Sequence, residues 1–247
     1  MELHRQVTGH GRVILLTHGF GASSHMFAST VAALAPSWTA IAWDMRGHGR
    51  SEVSADPSAY SVAASLGDLA TLLDEAGAER AVLLGHSLGG YLSLAYALAR
   101  PDQAGDLVLV DTGPGFRSER GRAEWNAMTD RYAADLEERG LDGLPGSEEL
   151  RGPVHRSAVG LAHTARSTLR QEDGHVMASL PTIAAPTLVV VGARDQPFLA
   201  GSEYMAAKLP DARLVVIEGC GHAPTVTHPA EFNVALLDFL GGLATAA

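Results

Sequence analysis

Six short runs of near-continuous apolar residues punctuate the chain, at 13–16, 39–43, 81–84, 107–110, 187–191 and 214–217. They do not alternate apolar with polar, which is how strands read when both faces of a parallel sheet are covered by helices. Between them, helical spacing predicts helices over 26–34, 61–76, 90–99, 202–209 and 229–240. Strand and helix alternate, so the expected class is α/β, a mostly parallel central sheet with helices on both faces.

One interval breaks this rhythm. Between about Gly113 and Leu180 no strong strand signal occurs. Residues 118–139 form a charged helical pattern that stops at Gly140, with Trp125, Met128, Tyr132 and Leu136 as its apolar stripe. A Gly- and Pro-bearing stretch, 141–153, is expected as a loop, and 154–170 as one or two further helices. The expected organisation is a core built from 1–113 and 181–247 with a helical cap, 114–180, inserted into it. The tail, Gly-Gly-Leu-Ala-Thr-Ala-Ala, is expected to fray.

Composition narrows the class. The 247 residues are 46% hydrophobic and 19% charged, which suits a compact globular chain. The formal charge is -10, from 18 basic and 28 acidic residues without a basic block, so neither nucleic acid nor an anionic membrane is the expected partner. Neither the start of the chain nor any later window has the apolar length of a signal peptide or a membrane span, and a cytoplasmic location is expected. The one cysteine, Cys220, reads as a small buried residue.

Chemistry enters at the third apolar run. It leads into Gly85-His86-Ser87-Leu88-Gly89-Gly90, a G-x-S-x-G sequence at a strand-to-helix junction, where a sharp turn presents a serine hydroxyl for attack. Such a serine needs a base, an orienting acid and an oxyanion site. Asp195 follows the run 187–191 and His222 follows 214–217, so both sit at the carboxyl ends of strands, where open α/β sheets place their sites. Asp111, after 107–110, is a competing acid, and His228, before Pro229, a competing base. The loop His18-Gly19-Phe20-Gly21 would supply one oxyanion donor from the Phe20 N–H, with the Leu88 N–H as the other. His18 reads as structural. Phe20, His86, Trp125 and Met128 are candidate pocket residues. No His-Cys-Asp group has metal-ligand spacing, and neither metal nor cofactor is expected.

Together these segments, with Asp44-Met45-Arg46-Gly47-His48-Gly49-Arg50-Ser51 as a bracing turn, resemble the α/β-hydrolase fold superfamily, in its serine carboxylesterase and lactonase-like branch with a small helical cap. The resemblance covers nearly the whole chain and implies a hydrolase of a carboxylic ester, lactone or thioester of a small molecule, with a Ser87, His222 and Asp195 triad. Serine at position 87 departs from the aspartate nucleophile of dehalogenases and epoxide hydrolases. Phe20 and Leu88 depart from proline iminopeptidases. Hydrolases of carbon-carbon bonds and the pyruvate-eliminating lyase of menaquinone synthesis share the triad, but 20–27 lacks the Asn and Pro of the former. His86 and Tyr91 replace the tyrosine and arginine of the latter, a loss that cap arginines such as Arg117, Arg120, Arg122 and Arg131 could offset. A binding protein or receptor on the same fold is a further alternative.

Overall fold

The computed structural model describes residues 1–144 and 155–244. The chain runs β1 (Arg5–Thr8), β2 (Arg12–Thr17), α1 (Ala28–Leu34), β3 (Trp38–Trp43), α2 (Val62–Glu75), β4 (Ala81–His86), α3 (Leu88–Ala99) and β5 (Ala104–Val110). It continues through α4 (Glu119–Arg139), α5 (Ala158–Arg166), α6 (His175–Ser179), β6 (Thr187–Gly192), α7 (Gln196–Lys208), β7 (Ala212–Ile217), α8 (Pro224–Thr227) and α9 (Pro229–Ala244). The seven strands make one sheet in the order β1-β3-β2-β4-β5-β6-β7, parallel throughout except for β1 against β3.

Successive residues of each strand point to opposite faces, and here both faces are apolar. Leu15, Ile41, Leu83, Leu107 and Val189 pack with Leu69 and Leu72 of α2, Leu92 and Tyr96 of α3 and Met205 of α7. Ile14, Ala40, Leu84, Val108 and Val190 pack on the other side with Val31 and Leu34 of α1 and Phe232 and Leu236 of α9. That double burial is the reason the strands read as unbroken apolar runs. β1 escaped the sequence reading because it is an edge strand, Arg-Gln-Val-Thr, with three exposed residues and no apolar run.

Helix bounds follow local chemistry. Ser61 caps α2 and Ser118 caps α4, each hydroxyl accepting an N–H three residues on, from Ala64 at 3.0 Å and from Gly121 at 3.1 Å. α4 stops at Gly140, as its glycine predicts. α7 begins at Gln196, six residues before the 202 expected from periodicity, because Pro197 fits the first turn of a helix, where no N–H is required.

α4, α5 and α6 occupy the chain between β5 and β6. Ala133 and Leu136 of α4 bury against Leu161, Ala162 and Ala165 of α5. At the margin Arg166 grips Glu137 with two hydrogen bonds, at 2.9 and 2.7 Å. Residues 145–153 of the expected loop at 141–153 lie outside the described residues, as does 154, and α5 falls within the expected 154–170 pattern.

The bracing turn after β3 carries two carboxylate clamps. Asp44 accepts the N–H groups of Ser24 at 2.7 Å and Arg50 at 2.9 Å. The Arg46 guanidinium meets both oxygens of Asp68 at 2.7 Å, on a pair that is almost fully buried.

Candidate active site

β4 hands Ser87 to the first turn of α3 at φ +51, ψ −116, a backbone state that costs a side-chain-bearing residue about 1–3 kcal/mol and persists only where its surroundings impose it. The surroundings are specific. The Ser87 N–H donates to the Val110 carbonyl at 2.9 Å, and the Thr112 hydroxyl donates to the Ser87 carbonyl at 2.6 Å, so the end of β5 holds the turn. The two motif glycines make the crossing sterically feasible. A Cβ at Gly85 would lie 2.2 Å from the Gly89 carbonyl oxygen, and one at Gly89 would lie 2.1 Å from that of Thr17.

His222 stands in the turn after β7. Its Nδ1 lies 2.7 Å from Oδ2 of the buried Asp195, which follows β6. With the proton on Nδ1 donated to that carboxylate, Nε2 becomes the acceptor nitrogen of the ring. Phe198 stacks on the imidazole with ring centroids 4.8 Å apart, and His86 lies 4.8 Å away on a tilted ring. His86 Nε2–H donates to the His222 backbone carbonyl at 2.6 Å, so the residue next to Ser87 is bonded to the residue that carries the imidazole.

Asp111 also converges on this point. It sits just past β5 at φ +43, fully buried, with Oδ1 accepting the Gly192 N–H at 2.9 Å. Donor atoms of Asp111, Asp195 and His222 all lie within 4.8 Å of one another. Both acids named from the sequence therefore meet His222, and the 2.7 Å bond joins Asp195 to Nδ1. These three side chains are also the group of described residues whose donors are close enough to share a cation. That bond commits one nitrogen and one oxygen of the set to each other.

The loop after β2 approaches the serine. A Cβ at Gly19 would lie 3.1 Å from that of Ser87. The Ala22 N–H bonds the Gly19 carbonyl at 3.2 Å across a turn in which Gly21 has φ +72, leaving Phe20 at the second position. Leu88 is the first residue of α3, and an N–H at that position has no acceptor within its own helix.

A cavity of about 300 Å³ opens beside Ser87 and is lined by Trp125 together with Phe116, Leu169, Gln171, Met177 and Phe198. Of the four sequence-named pocket residues, Trp125 is in this wall. Phe20 instead stacks on Tyr132, with planes 9° apart, and packs edge-on to His48. His86 is wholly buried behind the serine, and Met128 is half-buried away from the lining. His228 lies before α9 with Nδ1 3.0 Å from the Thr227 hydroxyl. Buried Cys220 has its Sγ 3.3 Å from the Gly221 carbonyl. Of the arginines singled out between β5 and β6, Arg117 bonds the Tyr204 hydroxyl at 2.8 Å, Arg122 bonds the Phe116 and Arg117 carbonyls at 3.0 Å, and Arg120 pairs with Glu124 on the surface.

Four further imidazoles sit in the frame of the site. His18 donates from Nδ1 to the Gly19 carbonyl at 2.7 Å and accepts the Met45 N–H on Nε2 at 2.9 Å, which makes it a structural residue. Burial lowers its pKa to about 4. Burial also holds His48 and His86 well below the ordinary range, and lowers His155, whose Nδ1 accepts the Gly49 N–H at 3.0 Å. All four are neutral in the folded protein near pH 7 and gain their protons more readily when unfolded. Stability is therefore complete above about pH 6.5 and falls as the pH drops below it, with His18 contributing to the fall until the pH nears 4. Urea midpoints measured from pH 8 to pH 4.5 should be level at first and drop steeply below 6.5; a level midpoint down to pH 5 refutes the coupling.

The sequence profile of the alpha/beta hydrolase family matches residues 13–235. A protein of Pseudomonas savastanoi pv. phaseolicola named "Putative carbamate hydrolase RutD" is 31% identical to the chain over 97% of each. A pimeloyl-[acyl-carrier protein] methyl ester esterase of Xanthomonas campestris pv. campestris is 30% identical over 98% of this chain and 100% of its own length. Among solved structures, a thermophilic esterase from Thermogutta terrifontis with malate bound superposes with a TM-score of 0.83 at 26% identity, covering 97% of this chain and 93% of that one. The chain belongs to the alpha/beta hydrolase family. It is an enzyme of that family, and among the described residues no helix is long and apolar enough to cross a membrane.

Proposed function

We propose that this enzyme cleaves a carboxylic ester of a small molecule through an acyl-enzyme, with Ser87 as nucleophile, His222 as base and Asp195 as the orienting acid. The observation that carries the reading is the Asp195–His222 bond of 2.7 Å, tied through the His222 carbonyl to His86, next to a serine held at φ +51 on a strand-to-helix turn. In this mechanism Ser87 Oγ attacks the ester carbonyl while His222 Nε2 takes its proton. The imidazolium then delivers that proton to the leaving alcohol as the carbon–oxygen bond breaks. Water repeats the sequence on the acyl-serine and releases the acid. Asp195 stabilises the charged ring and keeps its proton on Nδ1. The Phe20 and Leu88 N–H groups hold the tetrahedral oxyanion, and the positive end of the α3 dipole adds to them.

In the same reading residues 114–180 are a cap whose inner surface selects the substrate. The names of the carbamate hydrolase and the methyl ester esterase both describe attack at a carbonyl carbon, which supports acyl transfer here. A fluorophosphonate reacts with an activated serine and leaves an ordinary hydroxyl untouched. The expected result is a single adduct on the Ser87 peptide by mass spectrometry, together with hydrolysis of p-nitrophenyl esters of graded acyl length or of lactones. An unlabelled Ser87 overturns the proposal. Oxygen-18 from labelled water should enter the acid product; its absence would point to the lyase chemistry that shares the triad.

A further inference from the structure

We propose that the helical segment between β5 and β6 helps to build the oxyanion hole, with Tyr132 of α4 as a positioning residue that acts on the Phe20 N–H through the Phe20 ring. The inference rests on the ester-hydrolase reading, in which that N–H is a donor to the tetrahedral oxyanion. It adds what keeps the donor aimed.

A trans peptide is planar, so a carbonyl and the N–H of the next residue point in opposite directions. The Gly19 carbonyl and the Phe20 N–H share one such plane, and no peptide bond among the described residues is cis. That carbonyl accepts His18 Nδ1–H at 2.7 Å and the Ala22 N–H at 3.2 Å. Both bonds turn the Phe20 N–H away from themselves, while Gly19 lies so close to the serine that a Cβ on it would be 3.1 Å from that of Ser87.

The span is loose by composition. Glycines flank Phe20 on both sides, and glycine leaves the backbone dihedrals free to change. Phe20 supplies the side chain of Gly19-Phe20-Gly21, so the span follows wherever that ring is seated. The seat is made by another part of the chain. The ring stacks on Tyr132 with centroids 6.1 Å apart and planes 9° apart, and meets His48 edge-on at 5.8 Å. It also packs against the cluster of Ala133, Leu136 and Leu161 that joins α4 to α5. From the same interval between β5 and β6, the buried His155 donates Nε2–H to the Gly21 carbonyl at 2.8 Å while its Nδ1 accepts the Gly49 N–H at 3.0 Å. The Phe20 ring and the next carbonyl are thus both gripped from outside the loop. Tyr132 is not in the lining of the cavity beside Ser87, so its effect on turnover passes through Phe20.

The test compares p-nitrophenyl acetate with its thiono analogue, whose C=S sulfur is larger than oxygen and a weak hydrogen-bond acceptor. Wild type, Tyr132→Ala, Tyr132→Leu and Tyr132→Phe are assayed side by side, with circular dichroism on each. Losing one oxyanion donor costs about 10²- to 10³-fold in kcat, and misaiming it in Tyr132→Ala is expected to cost about 10- to 100-fold. KM should stay within about threefold, because the ground-state carbonyl gains little from the hole. Tyr132→Phe keeps the flat face and should recover kcat to within about threefold of wild type. Tyr132→Leu keeps bulk without the flat face and should fall between the two, which leaves a decisive variant if the alanine protein does not fold. The kcat/KM preference for the oxygen ester should shrink in step with kcat, whereas a general loosening of the fold lowers both esters alike. Unchanged kcat in the alanine and leucine variants, an unchanged oxygen preference, or no recovery with phenylalanine overturns the role of Tyr132 and leaves the hydrolase reading standing. If no ester is cleaved and Ser87 resists the fluorophosphonate, the hydrolase reading falls and this inference falls with it.

Discussion

Replacing Ser87 with alanine is expected to lower ester turnover by roughly 10⁴- to 10⁶-fold while leaving the fold intact. The strain at φ +51 belongs to the backbone and is borne equally by alanine. The bonds that impose it, from the Ser87 N–H to the Val110 carbonyl and from the Thr112 hydroxyl to the Ser87 carbonyl, involve no side-chain atom of position 87. Circular dichroism and the urea midpoint should therefore match wild type. What is lost is the nucleophile. Residual hydrolysis would reflect water attacking a carbonyl still polarised by the Phe20 and Leu88 amides, which is slow because the positioned oxygen is missing. Steady-state assay of the variant with its best p-nitrophenyl ester decides the matter, and near-native hydrolysis would sink the mechanism.

Asp195→Asn should cost about 10⁴ in kcat, because an amide at this point can present N–H to His222 Nδ1 and drive the ring into the wrong tautomer. Asp111→Asn is expected to cost at least tenfold less in kcat than that. Both carboxylates lie within 4.8 Å of the imidazole and of each other, but Oδ1 of Asp111 accepts the Gly192 N–H, a bond that asparagine's own carbonyl can keep. The two variants thus separate an acid that orients the base from one whose described bond stitches the ends of β5 and β6. Pre-steady-state measurement of the acylation step is the cleanest comparison. Equal losses at the two positions would mean that the pair acts as one unit.

The sheet and the elbow were legible because each leaves a local trace in the sequence. A strand covered on both faces must be apolar at every position, so 81–84 and 187–191 announce themselves. Ser87, Asp195 and His222 each follow the end of such a run within a few residues. The cavity wall leaves no comparable trace. It joins Phe116 from the segment after β5, Trp125 from α4, Leu169 and Gln171 from the segment after α5, and Phe198 from α7. Periodicity within one helix cannot say which distant segment that helix will meet. Trp125 was recognised as part of an apolar stripe and does reach the cavity, whereas Met128, one turn on, does not. Gln171 belongs to no motif; only its pairing with Asn126, 45 positions away, sets it apart. β1 was missed for the opposite reason, being too short and too exposed to need apolar residues.

The bond from His86 to the His222 carbonyl links positions 136 residues apart, and it divides the molecule into two kinds of territory. Ser87, His222 and Asp195 are rooted just past strand ends, with His222 bonded to Asp195 through its ring and to His86, the neighbour of Ser87, through its carbonyl. The aromatic wall is supplied largely by helices and connections that leave the sheet and return to it. If the proposed mechanism holds, substitutions at Phe116 or Trp125 should change which ester is preferred and leave the strand-end residues in place. For anyone seeking new selectivity, the wall is the place to diversify. The residues behind Ser87 are the ones to leave alone.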